Sequence, residues 1–219
     1  MKRPFLLFLP FLLFVAGAFV ACEEVHEEGK YDNWQQRNEA FIDSIKTETG
    51  DRKVLTATDA DNMVEGELYA IQVPTTSSNV VPQYVYCKKL VKNEVGARPN
   101  FSGYNSTVST YYKGTYITGD QFDGCFDGYS ALDQNIPIPP VKKPSEFDSP
   151  VTFGVNEMIP GWTWPLQFMR VGERWMLYIP WQSGYGSSDY SRKKSDGTIV
   201  TIPGCSTLTF DLILDGIVE

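Results

Sequence analysis

The sequence predicts a strand-rich α+β domain, and three observations carry that expectation. Apolar and polar residues alternate with period two in well separated runs, most cleanly from Thr207 to Leu214, where Leu208, Phe210, Leu212 and Leu214 share one face. One brief helical pattern follows the turn Ile159-Pro160-Gly161-Trp162, with Trp162, Leu166 and Met169 at i, i+4 and i+7. A second helical stripe, Trp34, Phe41, Ile42 and Ile45, comes before the strands. With 219 residues, 42% of them hydrophobic, the chain can bury a core.

Residues 1–21 read as an export signal: Lys2 and Arg3, an apolar run from Pro4 to Ala21, and small residues ahead of Cys22. Phe19-Val20-Ala21-Cys22 resembles a bacterial lipobox, with Phe19 where Leu is usual; that likeness implies cleavage before Cys22 and lipidation of its thiol. The alternative is an uncleaved anchor, since the run just reaches the length of about 18 apolar residues needed to span a bilayer. Either way the domain lies outside the cytoplasm. The expectation is an outer membrane lipoprotein facing the periplasm or the surface, and the acidic residues Glu23, Glu24, Glu27 and Glu28 resemble a surface-export signal.

Residues 22–80 are expected to hold this acidic spacer, an N-terminal helix and a linker strand, and residues 81–219 the main domain. The helix is predicted over Asp32 to Lys46, with Asp32 or Asn33 as N-cap. Isolated helices of that length are marginal, so it is read as docked on the main domain rather than as a dimerisation arm, in a monomer or weak dimer.

Strands are predicted at Glu67 to Val73, Gln83 to Val91 and Ser106 to Ile117, the last turning at Thr118-Gly119-Asp120 into Gln121-Phe122-Asp123. A long loop follows, Gly124 to Pro150, and then a short apolar strand from Val151. Pro165 is placed in the first turn of the short helix, where a missing N–H costs nothing, and Gly172 at its stop. Arg174 to Ile179 alternates as a strand, with Trp175, Leu177 and Ile179 on one side and Arg174, Met176 and Tyr178 on the other. Between it and the last strand lies a polar insertion, Ser187 to Gly197, with Arg192-Lys193-Lys194. The compactness of the stretch from Val151 to Tyr185 suggests a pocket, and both long insertions are expected to flank it, gating it, binding a partner or, the favoured reading, forming solvated surface.

Several chemistries are excluded or disfavoured. With 27 acidic against 19 basic residues, the chain lacks the cationic surface that neutralises nucleic-acid phosphates. The sole histidine, His26, sits beside the lipid site, which leaves no base for a Ser or Cys hydrolase and no His/Cys zinc site. No phosphate-binding or dinucleotide fingerprint is present, and neither a metal nor a cofactor is expected. Asp123 with Asp127 form a carboxylate pair marked only by proximity. Cys87, Cys125 and Cys205 allow one disulfide in an oxidising compartment, with the pairing open. Left to composition alone, Trp162 reads as a core residue.

The run Phe153-Gly-Val-Asn-Glu-Met-Ile-Pro-Gly-Trp162, then Val171-Gly172, Gly184-Tyr185-Gly186 and Thr207-Leu-Thr-Phe-Asp211, resembles FKBP-type peptidyl-prolyl cis-trans isomerases, nearest their macrophage-infectivity-potentiator-like bacterial branch. Tyr111-Tyr112-Lys113-Gly114 and Phe122-Asp123 fit the same pattern. The resemblance covers about Tyr84 to Glu219. It implies an antiparallel sheet of five or six strands wrapped around one short helix, and rotation of Xaa-Pro bonds in exported polypeptides. Carried over, the roles are Trp162 as platform under the prolyl ring, Tyr112, Phe122 and Phe210 as walls, and Asp123 as the polar group near the turning amide. Tyr185 and the Ile159 N–H would hold substrate carbonyls, Met158 and Ile159 the rim, and Ile202 one side, with Val151 or Phe153 completing the wall. Macrolides of the rapamycin class are implied ligands. Met158 for Val, Gly184 for Ala and the two insertions depart from the family pattern. A peptide-binding holdase or a structural lipoprotein on the same fold is the alternative.

Overall fold

The computed structural model describes residues 29–74, 82–99, 106–194 and 197–218; the export signal expected at residues 1–21 and the lipidation expected at Cys22 lie outside them. From Asn33 onward the chain forms one compact unit. Its elements are α1 (Trp34–Thr49), β1 (Lys53–Val54), α2 (Ala57–Asp61), β2 (Leu68–Val73), β3 (Gln83–Val91), β4 (Thr107–Thr115), β5 (Gln121–Gly124) and β6 (Val151–Gly154). Then come α3 (Pro160–Phe168), β7 (Arg174–Ile179), the hairpin strands β8 (Tyr190–Lys193) and β9 (Ile199–Ile202), and β10 (Leu208–Val218).

The α+β expectation holds, with a larger sheet than the five or six strands the resemblance implied. Eight strands pair in the order β1-β2-β3-β7-β10-β4-β5, β6 also pairing with β4, and β8 and β9 form a separate two-stranded sheet. Every pairing is antiparallel except β1 with β2, which runs parallel. Two residues of β1 are too few for a period to show, and the polar run around β8 hides its alternation.

Side chains alternate across a strand, so β7 serves both faces. Trp175, Leu177 and Ile179 join Leu208, Phe210, Leu212 and Leu214 under α3, whose Trp162, Leu166 and Phe168 close that core. On the opposite face Met176 and Tyr178 meet Phe41, Ile42 and Ile45 of α1. That explains why all six residues of β7 are buried, although the sequence there alternates.

Helix α1 is docked, as expected, by polar as well as apolar contacts. Trp34 Nε1 donates to Ser206 Oγ at 2.9 Å, and the buried Asn38 Oδ1 accepts from the Thr207 N–H at 2.7 Å. Asn33 occupies the N-cap position, but its left-handed backbone leaves its side chain out of the cap.

Helix α3 begins earlier than the sequence reading placed it, with Pro160 rather than Pro165 in its first turn. Pro160 suits N1, where no N–H is needed. Pro165 lies inside, where its ring removes the bond to the Gly161 carbonyl, and the helix ends at Phe168. Gly161 has a steric purpose: a Cβ there would stand 2.2 Å from Ile179 Cγ2, so only glycine lets α3 seat on β7. Gly172 belongs to the turn beyond, and its N–H bonds the Leu214 carbonyl at 2.7 Å.

The loop 124–150 turns away from the pocket, contrary to expectation, and packs on the opposite face. Arg174 on β7 donates to both oxygens of Asp211 on β10, at 2.7 and 2.5 Å, and the Tyr129 N–H bonds the same carboxylate at 2.7 Å. Arg174 also donates to the Lys142 carbonyl, and its guanidinium lies 5.0 Å from the Tyr129 ring. A buried charge pair needs such additional partners, and the loop supplies them. The three cysteines Cys87, Cys125 and Cys205 are free thiols, so the allowed disulfide is not formed among the described residues.

A second, more exposed knot ties α2 to the turn after α3. Arg170 clamps both oxygens of Asp61 at 2.8 and 2.9 Å, and Arg98 adds a bond at 2.5 Å. The Arg170 hydrogen bonds, followed by that from Arg98, hold the Asp61 carboxyl well below the usual carboxylate range. A depressed folded-state pKa stabilises above the unfolded value and is lost as pH falls through the folded one. Asp61→Asn therefore unfolds more easily than wild type at neutral pH, by ~1 kcal/mol for a pair this exposed. The gap closes on acidification below about pH 4, as urea titrations across pH will read.

Candidate active site

Five elements bring aromatic side chains to one end of α3. Tyr112 comes from β4, Phe122 from β5, Phe153 from β6, Trp162 from α3 and Phe210 from β10. Trp162 lies at the centre: its ring is 4.9 Å from Phe210, 5.1 Å from Tyr112 and 5.3 Å from Phe153. Phe122 and Phe210 meet edge to face at 5.5 Å. Together they line a cavity of ≈190 Å³, with Val151, Met158 and Ile159 at its rim and Asp123, Tyr185 and Arg192 at its polar edge.

The register explains why the rings can approach so closely. Phe210 of β10 stands opposite Gly114 of β4, and Gly114 opposite Asp123 of β5. A Cβ on Gly114 would come within 2.7 Å of Phe210 Cε1 and 2.8 Å of Phe122 Cζ. Gly114→Ala therefore pushes both rings into the cavity. It is expected to lower stability by about 1–3 kcal/mol, as overpacking does, readable as a fall in the thermal midpoint.

The platform is fixed from below. Thr163 Oγ1 donates to the Val155 carbonyl at 2.8 Å, tying α3 to the 3-10 turn Val155–Glu157. The Ile159 carbonyl accepts from the N–H groups of Trp162 and Thr163, at 2.8 and 3.1 Å. Its own N–H precedes the helix and donates to no acceptor among the described residues. Trp162 is 1% exposed, and its Nε1 has no hydrogen-bond partner among the described residues, so the ring acts through apolar contact.

The polar edge is organised around Asp123. The Tyr112 hydroxyl donates to Asp123 Oδ2 at 2.8 Å, and Arg192 on β8 forms an ion pair with the same oxygen. Lys194 Nζ stands 3.8 Å from Oδ1. Burial first, and then the charge of Asp123, push the Tyr112 hydroxyl well above the ordinary tyrosine range, so it remains a donor. Burial also raises Tyr185. The Tyr185 ring stacks on Tyr190 at 4.3 Å, which ties the β8–β9 hairpin to the rim.

Of the nine residues expected around the prolyl site, eight converge here: Tyr112, Phe122, Asp123, Met158, Ile159, Trp162, Tyr185 and Phe210. Ile202 does not line the cavity; it is buried in the core at the end of β9. Val151 and Phe153 both contribute. Arg192 was visible only as one member of a polar cluster, and four residues of edge-strand alternation gave no direction. Two larger cavities, ≈500 and ≈400 Å³, lie against α1 and lack this convergence of rings. The larger adjoins Pro82, where residues outside the described set begin.

Comparison with known proteins gives the family. Residues 99–215 match the family model described as FKBP-type peptidyl-prolyl cis-trans isomerase. The outer membrane protein MIP of Legionella longbeachae is 32% identical over 98 residues, covering 45% of this chain and 33% of that one. The FKBP-type peptidyl-prolyl cis-trans isomerase FkpA of Aeromonas hydrophila is 26% identical over 185 residues, covering 82% of this chain and 53% of that one. The chain thus spans about half or less of the length of these relatives. The crystal structure of FkpA from Escherichia coli aligns with a TM-score of 0.49 at 23% identity, covering 86% of this chain and 62% of that one. With its matched segment taking in β4 through most of β10 and all the rings of the cavity, this chain belongs to the FKBP-type peptidyl-prolyl cis-trans isomerase family.

Proposed function

We propose that the protein catalyses cis-trans exchange of Xaa-Pro bonds in exported polypeptides. The observation that carries this reading is the convergence of Tyr112, Phe122, Trp162 and Phe210, from four separate elements, on one small open cavity with a carboxylate at its edge. Amide rotation meets a barrier of about 18–20 kcal/mol because twisting destroys resonance. Uncatalysed Xaa-Pro exchange therefore takes tens to hundreds of seconds. A site lowers the barrier by binding the twisted amide more tightly than the planar one.

Here Trp162 serves as the platform for the prolyl ring, with Tyr112, Phe122 and Phe210 as walls and Met158 and Ile159 as rim. The Ile159 N–H and Tyr185 hydroxyl hold the flanking carbonyls, and Asp123 is the polar group beside the turning amide. No nucleophile or metal is needed. The cavity is smaller than the roughly 300–1,000 Å³ typical of sites that enclose a drug-sized ligand. It suits a single prolyl ring, and a rapamycin-class macrolide would insert only one end of its ring.

The names of the relatives support a place in the cell envelope. The finer proposal is an outer membrane lipoprotein held through Cys22, periplasmic or surface facing, with residues 22–80 as spacer, helix and linker ahead of the isomerase domain 81–219. A binding module with little turnover is the second reading. What favours it is the ion pair by which Arg192 already occupies Asp123. A protease-coupled assay on Xaa-Pro peptides separates the two. Catalysis predicts rates above the uncatalysed level that fall in Asp123→Ala, whereas wild type at the uncatalysed level would leave only binding.

A further inference from the structure

The acidic chain contains one run of three consecutive cations, Arg192-Lys193-Lys194, and the β8–β9 hairpin carries it to the lip of the aromatic cavity. Arg192 pairs with Asp123, and Lys194 reaches to 3.8 Å from the other oxygen of that carboxylate. Two cations thus face one acid, which also accepts the Tyr112 hydroxyl. Among these described side chains one formal positive charge is in excess. The side chains of Arg192 and Lys194 are 38% and 34% exposed, so an arriving peptide can touch both. Glu157, Asp189 and Asp148 each accept from a nearby donor, the Gly154 N–H, the Gly204 N–H and the Ser145 N–H, and among the described residues Asp123 is the acid paired with Arg192 and Lys194.

We propose that this rim is a subsite for an acidic side chain on the residue preceding proline, so that Glu-Pro and Asp-Pro segments are the preferred substrates. The proposal rests on the isomerase reading of the same cavity. On that reading Asp123 lies beside the amide joining the preceding residue to proline, and the cations seated on Asp123 are then nearest to that residue's side chain. A partly exposed charge contact of this kind changes affinity by about two- to fivefold.

The test compares acetylated, amidated Ala-Glu-Pro-Phe, Ala-Gln-Pro-Phe and Ala-Lys-Pro-Phe, with exchange followed by NMR so that no protease selects among them. Wild type is expected to favour Glu over Gln by about two- to fivefold and to disfavour Lys. The ratio should collapse at 1 M salt, where the Debye length is about 3 Å, and reverse in Lys194→Glu. Equal rates for the three peptides in wild type would overturn the subsite while leaving the isomerase reading intact. No catalysed exchange of any peptide would overturn the isomerase reading instead. In that event intrinsic-fluorescence titration with the same peptides decides the subsite, tighter binding of the Glu peptide supporting it and equal binding ending it. Wild-type ratios decide the question even if Lys194→Glu fails to fold.

Discussion

Glu173→Ala is expected to lower the free energy of unfolding by about 3–5 kcal/mol, the cost of leaving a buried charge without its partner. Glu173 and Lys89 are each 0% exposed and meet at 2.7 Å beneath the turn that joins α3 to β7. Lys89 Nζ also donates to the Ala60 carbonyl at 2.7 Å and lies 5.4 Å from the Trp175 ring. The second oxygen of Glu173 accepts from Trp175 Nε1 at 3.0 Å and from the Arg170 N–H at 3.1 Å. Removing the acid therefore strands an ammonium and two further donors in a site closed to water. Lys89→Met combined with Glu173→Gln should recover most of the loss, because the amide oxygen still serves the two donors and no charge remains. Equilibrium urea unfolding of the three proteins reads this directly. A single-variant cost below ~1 kcal/mol would mean that water reaches the pair, as at a surface ion pair.

Phe210→Ala carries the largest expected effect on activity. The Phe210 ring touches Trp162 and Phe122 and faces Tyr112 at 6.3 Å, so its loss opens one whole wall of the cavity. A fall in kcat/KM of about ten- to hundredfold is expected, equivalent to roughly 1.4–2.7 kcal/mol of transition-state stabilisation. Truncating a buried phenylalanine also costs about 3–5 kcal/mol of stability. Kinetics must therefore be taken well below the variant's thermal midpoint. Phe210→Leu, which keeps most of the volume, should fall between wild type and the alanine variant.

The strands that build the cavity were legible wherever a period could run. β3 and β7 match their expected limits, and the alternation Leu208, Phe210, Leu212, Leu214 names the apolar core face of β10 correctly, although Thr209 and Asp211 on its other face are buried too. The residues of the cavity were legible only through the family resemblance that their motifs carry. The turn before Trp162 and the Phe122-Asp123 pair led to eight residues that share one cavity. Other features depended on contacts distant in sequence. Lys89 and Arg174 look like ordinary polar positions of a half-exposed strand, and only their partners, 84 and 37 residues away, make burial tolerable. Gly114 resembles any glycine in a strand until Phe210 and Phe122 are seen resting on it. Pro165 suits a first turn only if Pro160 belongs to the turn ahead of the helix, whereas Pro160 itself opens α3. Arg192 reached the site by a hairpin whose four-residue strands carry too few periods to orient a side chain.

The account stands on the claim that Xaa-Pro bonds turn in the cavity floored by Trp162. The most direct measurement is the protease-coupled exchange rate of an Ala-Leu-Pro-Phe peptide with wild-type protein, titrated with a rapamycin-class macrolide. The account predicts catalysed exchange that falls to the uncatalysed rate as the macrolide saturates the protein, with the thermal midpoint rising in parallel. Catalysed exchange that persists when the macrolide is bound would place the chemistry elsewhere and contradict it.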